Sequence, residues 1–448
     1  MTIKDVFENP NKYNFNISNL GEAKIDTPVC RKKYVEENER VLISHDVSYL
    51  SKIVRQNGVV PSFEKAGPRK KIFHEPAWSK AAIVTCGGLC PGLHDVIKGI
   101  VQTLWYEYGV KRIVGIRYGL EGFIPKYGHA PMELNPDVVD DIHTDGGTIL
   151  GSSRGGQDTE QIVQTLLNLN INMLFCIGGD GTLRAARDIA DEIERRGLQI
   201  SVVGVPKTID NDLAFIGRSF GFETAVYATD PVITAAHVEA KGAYRGIGLV
   251  KLMGRDSGFI AAYASLANSF VNMCLIPESQ FELEGEHGLF AALERRFNAG
   301  KTHAVIVVAE GAGQNLIEGE ANVDASGNIL KKDIGEFLKN KIQDYFKKKG
   351  NPVSIKYFDP SYSIRSVPAL GTDAILCHLL AKNAVHAAMA GKTNCVIGKC
   401  ADIYMHVPIA LATIERQKIN VDDTLWQAVL DTTCQERYFG YEPIVKSK

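Results

Sequence analysis

The sequence predicts an α/β protein with two lobes, each built on a mostly parallel β-sheet that helices flank on both faces. Three observations lead to this fold class. Short apolar segments alternate with helical segments from residue 81 onwards, glycine-rich turns join several predicted strands to helices, and 448 residues suffice for about two or three domains. A repeated strand–turn–helix pattern of this kind is typical of Rossmann-like lobes.

Composition excludes several classes of protein. Hydrophobic residues make up 45% of the chain and charged residues 23%, as in ordinary globular proteins. The net charge of -2 gives no general attraction to nucleic acid or to an anionic membrane, so any phosphate-binding site must be local. The N-terminus lacks the apolar stretch of a secretory signal, and no apolar run is long enough to cross a bilayer. The nine cysteines have no CxxC spacing, which favours reduced thiols in the cytoplasm.

Four segments are predicted along the chain. Residues 1–80 form a polar N-terminal extension, residues 81–240 the first lobe, residues 241–405 the second lobe, and residues 406–448 a C-terminal helical tail. The two lobes are expected to join near residues 225–245, and the turn-rich residues 311–331 to form a hairpin or surface loop.

The individual elements follow from apolar runs and helical periodicity. In the first lobe we predict strands over 81–86, 112–116, 172–177 and 200–205, with helices over 92–108 and 183–196. In the second lobe we predict strands over 248–253, 273–277, 302–309, 353–358 and 395–398, with helices over 259–267, 287–298, 334–348 and 372–389.

Three segments follow strands of the first lobe, where doubly wound sheets bind their ligands. Residues 87–92, GGLCPG, let backbone amides approach an anion, although a plain strand-to-helix turn explains them equally well. Residues 178–182, GGDGT, place Asp180 inside a glycine loop, where a carboxylate suits Mg²⁺ and the backbone suits phosphates. Capping of the next helix is the alternative role for Asp180.

The third segment, PKTIDND at residues 206–212, carries two carboxylates directly after a strand. Phosphoryl transfer to an alcohol needs a base for the hydroxyl proton, and an aspartate suits that role. A neighbouring hydroxyl and cation, here Thr208 and Lys207, can bind the moving phosphoryl group. An Asx-rich turn without catalytic function is the alternative interpretation.

The GGDGT segment followed by TIDND resembles the phosphofructokinase family. Four further segments agree with the family pattern and occur in the same order: GGTILGSSR at 146–154, MGR at 253–255, EG at 310–311 and YSIR at 362–365. The resemblance runs from about residue 81 to about residue 400. It implies the phosphofructokinase fold and an ATP-dependent 6-phosphofructokinase activity, which converts D-fructose 6-phosphate to fructose 1,6-bisphosphate in glycolysis. It also implies Mg²⁺ as cofactor, ATP as co-substrate, a cytoplasmic location and a homo-oligomer, either a dimer or a tetramer.

The resemblance further implies roles for individual residues. The nucleotide site is expected to be lined by Gly87, Gly88, Arg154, Gly155, Gly179, Gly181 and Thr182, with Asp180 as the Mg²⁺ ligand. The catalytic group is expected to comprise Asp210 as general base, Thr208, Arg255 and Lys207 at the phosphoryl group, and Asp212 as an orienting carboxylate. The sugar phosphate is expected to contact Thr208, Ile209, Asp210, Met253, Gly254, Arg255, Glu310, Tyr362 and Arg365. His94 stands where the family often has asparagine, and we interpret it as a helix-packing residue.

Two positions bear on the phosphoryl donor. Members of the family that use pyrophosphate typically carry aspartate at the position of Gly181, where a carboxylate would block the α-phosphate of ATP. The same members typically carry lysine at the position of Lys207, whereas bacterial-type ATP enzymes have glycine there. We predict ATP as the donor, on a pyrophosphate-type scaffold like that of plant, trypanosomatid and some bacterial members, with pyrophosphate as the alternative.

Two other functions remain open. A different kinase that uses a GGDGT loop, for NAD or a lipid, is disfavoured by the MGR and YSIR segments. A non-catalytic regulatory subunit is disfavoured by the presence of Asp180, Asp210 and Arg255. No nucleic-acid or membrane partner is expected.

Overall fold

The computed structural model describes residues 2–58, 60–319, 330–437 and 439. The chain divides into two compact units, one formed by Met1–Gly221 and Ser366–Arg416 and the other by Phe222–Arg365 and Gln417–Lys448. The nine cysteines all belong to the described residues and are free thiols. Across the described ranges, every helix is too short or too polar to cross a membrane.

The strands and helices alternate through most of the chain. The strands are β1 (Ser18–Asn19), β2 (Ile25–Asp26), β3 (Arg40–Leu42), β4 (Ser62–Lys65), β5 (Lys71–Ile72), β6 (Lys80–Thr85), β7 (Arg112–Ile116), β8 (Met132–Glu133), β9 (Met173–Gly178), β10 (Ser201–Pro206), β11 (Gly246–Leu252), β12 (Met273–Leu275), β13 (His303–Ala309), β14 (Ser354–Phe358), β15 (Lys392–Thr393), β16 (Cys395–Cys400) and β17 (Ile403–Pro408). The helices are α1 (Ile3–Glu8), α2 (Val47–Asn57), α3 (Leu93–Gln102), α4 (Thr159–Asn168), α5 (Asp180–Arg195), α6 (Phe222–Lys241), α7 (Phe259–Ala267), α8 (Leu289–Asn298), α9 (Ile334–Lys348), α10 (Ser361–Arg365), α11 (Gly371–Met389), α12 (Ile409–Ala412) and α13 (Thr424–Thr433).

The first unit is built on a nine-stranded sheet with the order β3-β4-β17-β16-β10-β9-β6-β7-β8. Its centre is parallel, because β10 pairs with β16 and β9, and β6 pairs with β9 and β7. The outer strands β17, β4, β3 and β8 run antiparallel to their neighbours. This arrangement confirms the predicted fold class, and it places the carboxyl ends of the central strands at one edge of the sheet.

The parallel centre of this sheet is covered by helices. β9 and β10 are buried along their whole length, as expected of strands that are packed on both faces. Ala82 and Val84 of β6 share a hydrophobic core with Ile162 of α4 and Leu183 of α5. The long helix α11 packs against α3 and β10. Continuous burial explains why these strands appear in the sequence as unbroken apolar runs.

The second unit contains a four-stranded sheet with the order β12-β13-β11-β14, in which all pairs are parallel. Leu249 of β11 and Ile306 of β13 share a core with Leu293 of α8 and Leu338 of α9. The helices α6 and α7 also pack against this sheet. The second unit therefore has its own parallel sheet, with all four carboxyl ends at one edge.

The predicted segment boundaries differ from the division that the structure shows. The second unit begins at Phe222, and the expected junction near residues 225–245 is largely the helix α6. Residues 366–416, expected mostly in the second lobe, belong to the first unit, because β16 pairs with β10 and α11 packs on α3. Such long-range pairing leaves no signal in local composition.

The two ends of the chain also differ from the prediction. The N-terminal extension contributes β3 and β4 to the main sheet, where β4 pairs with β17. The expected helical tail begins within β17 and includes its second half before α12 and α13, and residues 438 and 440–448 lie outside the described residues. Within the predicted loop at 311–331, residues 320–329 lie outside them as well.

A buried charge cluster ties the extension to the first unit. Glu64 of β4 forms ion pairs with Arg69 at 2.9 Å and with Lys392 at 3.1 Å, and it accepts a hydrogen bond from His406 Nδ1 at 3.0 Å. Burial alone would raise the pKa of Glu64, but these three neighbours lower it to about 2. A buried carboxylate that remains charged in this way needs all its partners, so β4 is an integral strand.

Candidate active site

The three glycine- and aspartate-rich segments of the first unit lie at one edge of its sheet. They follow β6, β9 and β10, which are adjacent and parallel, with Val84 opposite Cys176 and Cys176 opposite Gly204. Because parallel strands end together, residues 87–92, 178–182 and 207–212 come together although they are far apart in sequence. The tertiary structure thus assembles the predicted nucleotide-binding and catalytic loops of this unit.

Lys207 connects all three segments. Its backbone N–H donates to the carbonyl oxygen of Gly178 at 3.0 Å, and its Nζ donates to the carbonyl oxygen of Gly88 at 2.8 Å. The side chain is buried, with 6% of the residue exposed. A buried ammonium group must be hydrogen-bonded, and here it is held beside the two glycine loops.

The segment at 146–155 joins the same edge through backbone contacts. The N–H of Gly87 donates to the carbonyl oxygen of Ser153 at 3.1 Å, and Ser152 Oγ donates to the carbonyl oxygen of Gly87 at 2.6 Å. Arg154 follows with an exposed side chain, and Gly155 adopts a positive φ of 97°. The predicted nucleotide-binding residues of this segment therefore border the GGLCPG loop.

His94 holds this segment against α3. Its Nδ1 lies 2.9 Å from the carbonyl oxygen of Asp145, to which it donates, and its Nε2 accepts from the N–H of Ile149 at 2.9 Å. Both ring nitrogens are thus engaged by backbone groups, which supports the packing interpretation of His94.

The TIDND loop is locked by side-chain hydrogen bonds. Asn211 has a positive φ of 53°, and its Oδ1 accepts from the N–H of Ser219 at 2.8 Å. Thr208 Oγ1 donates to Asp212 Oδ1 at 2.9 Å and accepts from the N–H of Asp210 at 3.2 Å. The loop is therefore an ordered polar turn that also presents carboxylates, so the two interpretations of its sequence are compatible. Ile209, which lies between Thr208 and Asp210 in this loop, is buried.

Two carboxylates of this edge share one guanidinium group. Asp180 Oδ2 lies 3.9 Å from Arg416 Nη2, and Asp212 Oδ2 lies 3.7 Å from Arg416 Nε. Burial raises the pKa of Asp212, an effect that Arg416 and the Thr208 hydroxyl only partly offset. No sequence motif indicated a role for Arg416, because it lies in the expected C-terminal tail, outside every motif.

The loop at 178–182 provides space for an anion. Asp180 is the first residue of α5, so the N–H groups of its first turn have no partners within the helix and carry a partial positive charge. A Cβ built on Gly181 would meet no atom within 4 Å. Position 181, which bears on the choice between ATP and pyrophosphate, therefore has open space around it.

The predicted sugar-binding residues of the second unit also lie at one sheet edge. Met253, Gly254 and Arg255 follow β11, and Glu310 follows β13. The N–H of Gly311 donates to the carbonyl oxygen of Gly254 at 2.9 Å, and a Cβ on Gly311 would come 2.0 Å from the carbonyl oxygen of Arg255. Only glycine allows this approach, which explains the EG dipeptide.

Tyr362 and Arg365 lie on α10, which follows the fourth strand, β14. The Arg365 guanidinium carbon lies 4.7 Å from the centre of the Tyr362 ring. Tyr362 is 76% exposed, so an aromatic ring and a cation are presented together. A planar guanidinium oriented by a ring is suited to a phosphate ester.

Glu278 is a further carboxylate near this edge, three residues beyond β12, that no sequence signal identified. Its Oε1 accepts from the N–H of Gly258 at 3.0 Å and of Ile419 at 2.8 Å. Burial raises the pKa of Glu278. The residues expected to bind nucleotide thus lie in the first unit, and those expected to bind the sugar phosphate lie in the second, apart from Thr208, Ile209 and Asp210.

Comparisons with known proteins agree with these motifs. The family model for phosphofructokinase matches residues 80–388. An ATP-dependent 6-phosphofructokinase of Borreliella burgdorferi is 49% identical over 94% of this chain and 96% of its own length. ATP-dependent 6-phosphofructokinase 7 of Arabidopsis thaliana is 50% identical over 84% of this chain and 78% of its own length.

Solved structures show the same fold at lower identity. A pyrophosphate-dependent phosphofructokinase from Marinobacter aquaeolei superposes with a TM-score of 0.64 at 20% identity, over 80% of this chain and 92% of its own. At that identity the likeness concerns the fold alone. The extent of the family match and the near full-length identity to its members establish that this chain belongs to the phosphofructokinase family.

Proposed function

We propose that this chain is an ATP-dependent 6-phosphofructokinase, a phosphotransferase that converts D-fructose 6-phosphate to fructose 1,6-bisphosphate in glycolysis. The observation that carries the proposal is the convergence of the GGDGT and TIDND loops at one sheet edge, where Lys207 joins them. The relatives that match almost the whole chain carry the ATP-dependent name, which supports the choice of donor.

In this proposal Asp210 accepts the proton of the sugar 1-hydroxyl as the hydroxyl oxygen attacks the terminal phosphorus of ATP, and ADP leaves. Asp210 belongs to the locked loop, whose hydrogen bonds fix its backbone before substrate binds. Lys207, Thr208 and Arg255 supply positive charge and a hydroxyl for the transferring phosphoryl group. Asp212, held by Thr208, orients that hydroxyl.

The nucleotide phosphates are placed at the N-terminus of α5 and along the glycine loops. Seven residues make up this proposed site: Gly87, Gly88, Arg154, Gly155, Gly179, Gly181 and Thr182. The partial positive charge of a helix N-terminus favours phosphate, and the open space at Gly181 favours the longer nucleotide over pyrophosphate.

The residues present fit a bound Mg²⁺ ion. Hard carboxylate oxygens are the ligands this ion prefers, and Asp180 and Asp212 already direct one oxygen each towards a single positive group. Among the described residues, no group of three or more His, Cys, Asp or Glu side chains forms a complete metal site. Asp180 would therefore hold the ion together with phosphate oxygens. When bound, the ion neutralises charge on the transferring phosphate.

The sugar phosphate is assigned to the second unit. Met253, Gly254, Arg255 and Glu310 would contact the sugar, and Tyr362 and Arg365 its 6-phosphate. The support for this assignment is their common position at the carboxyl edge of one parallel sheet. The family resemblance assigns Thr208, Ile209 and Asp210 to the reacting end of the sugar.

We further propose a homo-oligomeric, cytoplasmic enzyme. Family resemblance supports a dimer or tetramer, and free thiols at all nine cysteines suit a reducing compartment. Light scattering of the purified protein gives the number of subunits directly.

The activity test compares two donors. Purified protein, fructose 6-phosphate and Mg²⁺ are incubated with ATP or with pyrophosphate, and fructose 1,6-bisphosphate is measured. We expect turnover with ATP only. Turnover with pyrophosphate would keep the enzyme class and show that Lys207 outweighs Gly181, whereas no turnover with either donor would favour a regulatory subunit.

A further inference from the structure

Arg416 stands next to the catalytic loop because its backbone is fixed there. Residues 413–416 follow the short helix α12, which comes directly after β17 in the chain. Leu213 directly follows the TIDND loop and forms a β-bridge with Arg416. The N–H of Ala214 donates to the carbonyl oxygen of Ala412 at 3.2 Å. Two backbone contacts therefore hold the Arg416 side chain near this loop, independently of its charge.

The Arg416 guanidinium spans two loops of the site. It lies 3.7 Å from the carboxylate of Asp212 and 3.9 Å from that of Asp180. Both distances are within the range of ion pairs but are too long for hydrogen bonds. The three side chains are mostly shielded, with exposed fractions of 27% for Arg416, 18% for Asp180 and 8% for Asp212. Two carboxylates held together in such a place repel each other unless a positive charge lies between them.

The remaining oxygens of the two carboxylates are held by other partners. Asp180 Oδ1 accepts from Arg184 Nε at 3.1 Å, and Arg184 Nη2 donates to the carbonyl oxygen of Thr413 at 2.9 Å. Asp212 Oδ1 accepts from Thr208 Oγ1 at 2.9 Å. One oxygen of Asp180 is thus held by Arg184 of the same helix and one oxygen of Asp212 by Thr208 of the same loop, and Arg416 faces the second oxygen of both carboxylates.

We infer that Arg416 is a positioning residue of the phosphoryl-transfer site, which holds Asp212 in place and competes with a divalent cation for the carboxylate of Asp180. The inference rests on the proposed role of Asp180 in metal binding. Together with Arg184, which pairs with Asp180, the Arg416 guanidinium neutralises the two carboxylates in the free enzyme. When the metal–nucleotide complex binds, the long contact between Arg416 and Asp180 is broken, and the contact between Arg416 and Asp212 remains.

The test measures Mn²⁺ binding to the free enzyme, without nucleotide, by electron paramagnetic resonance. Arg416→Gln removes the competing charge, and we expect Mn²⁺ to bind about fivefold more tightly, because unit charges about 4 Å apart in a water-like dielectric interact by about 1 kcal/mol. Arg416→Lys, which restores a positive charge, should return the affinity towards that of the wild type. Arg187→Gln is the matched control, since Arg187 lies on α5 and pairs with Asp188.

Steady-state kinetics provide the second measurement. We expect Arg416→Gln to lower kcat about 10- to 100-fold, within the range for loss of a positioned catalytic group, while KM for fructose 6-phosphate changes less than about threefold. Unchanged or weaker Mn²⁺ binding in a folded Arg416→Gln protein overturns the inference, and so does an unchanged kcat. If Arg416→Gln does not fold, Arg416→Lys takes its place. Weaker Mn²⁺ binding by folded Arg416→Lys than by the wild type then overturns the inference. If the wild type fails to turn over either donor, the proposed function fails, while the Mn²⁺ comparison still decides the role of Arg416.

Discussion

Replacing Gly181 with aspartate tests the basis of donor choice. A Cβ at this position meets no atom within 4 Å, and the residue is the second of α5. The new side chain therefore needs no rearrangement, and a carboxylate in the first turn of a helix is favoured by about 0.3–1 kcal/mol. Glycine is also a poor helix former, so we expect stability to stay equal or rise by less than about 1 kcal/mol.

The same carboxylate should oppose the nucleotide. Placed about 4 Å from a phosphate oxygen, it costs about 1 kcal/mol in a water-like dielectric and about 4 kcal/mol at an effective dielectric constant of 20. These values correspond to a loss of about 5-fold to 1,000-fold in affinity. We therefore expect Gly181→Asp to raise KM for ATP at least about fivefold and to leave KM for fructose 6-phosphate nearly unchanged.

The assay measures KM and kcat with ATP and with pyrophosphate, together with the melting temperature. Gly181→Asn separates shape from charge, because it adds the same volume without the negative charge. Gly371→Asp is a matched control, since Gly371 is the first residue of α11 and also has open space at its Cβ. A Gly181→Asp protein of normal stability that keeps the wild-type KM for ATP would refute the account of donor choice.

Three further predictions concern the base, the phosphate site and pH. Asp210→Asn removes the proposed base without changing shape, so kcat should fall about 100- to 10,000-fold with KM for fructose 6-phosphate within about threefold, and an unchanged kcat would exclude Asp210 as the base. Arg365→Ala should raise KM for fructose 6-phosphate at least about tenfold, because a charge-assisted hydrogen bond is worth about 1.5–3 kcal/mol. Arg365→Lys should restore only part of the lost affinity. As a control, KM for fructose without a phosphate should be the same in the wild type and in Arg365→Ala. Burial lowers the pKa of His74 from 6.5 to about 4, so the folded protein resists a proton that the unfolded chain accepts. The contribution of His74 to the free energy of unfolding is therefore fully present above pH 6.5. The free energy of unfolding then decreases by up to about 3 kcal/mol as the pH falls from 6.5 towards 4. The melting temperature of His74→Gln should therefore depend less steeply on pH than that of the wild type, and equal slopes would contradict the assignment.

Much of the fold was predictable because its signals are local. The helix predicted over 259–267 coincides with α7, and the strand predicted over 112–116 coincides with β7. Buried parallel strands need continuous apolar residues, and the turns that follow them need glycine, so both leave clear patterns in a short window. The helix α6 was missed at the expected junction; Pro231 within it and its mixed composition obscure its periodicity.

The sequence by itself determined the α/β class, the family and the kinds of side chain available for phosphoryl transfer. It placed those side chains at the ends of strands, since each motif is a contiguous segment. Only the tertiary structure decided that β3 and β4 join the main sheet, that residues 366–416 return to the first unit, and that Lys207 links three loops. Arg416 and Glu278 likewise reach their sites through contacts between segments far apart in the chain. A single charged residue has no local signature, because its role is set by which backbone segments pack beside it, and that is decided when the whole sheet forms.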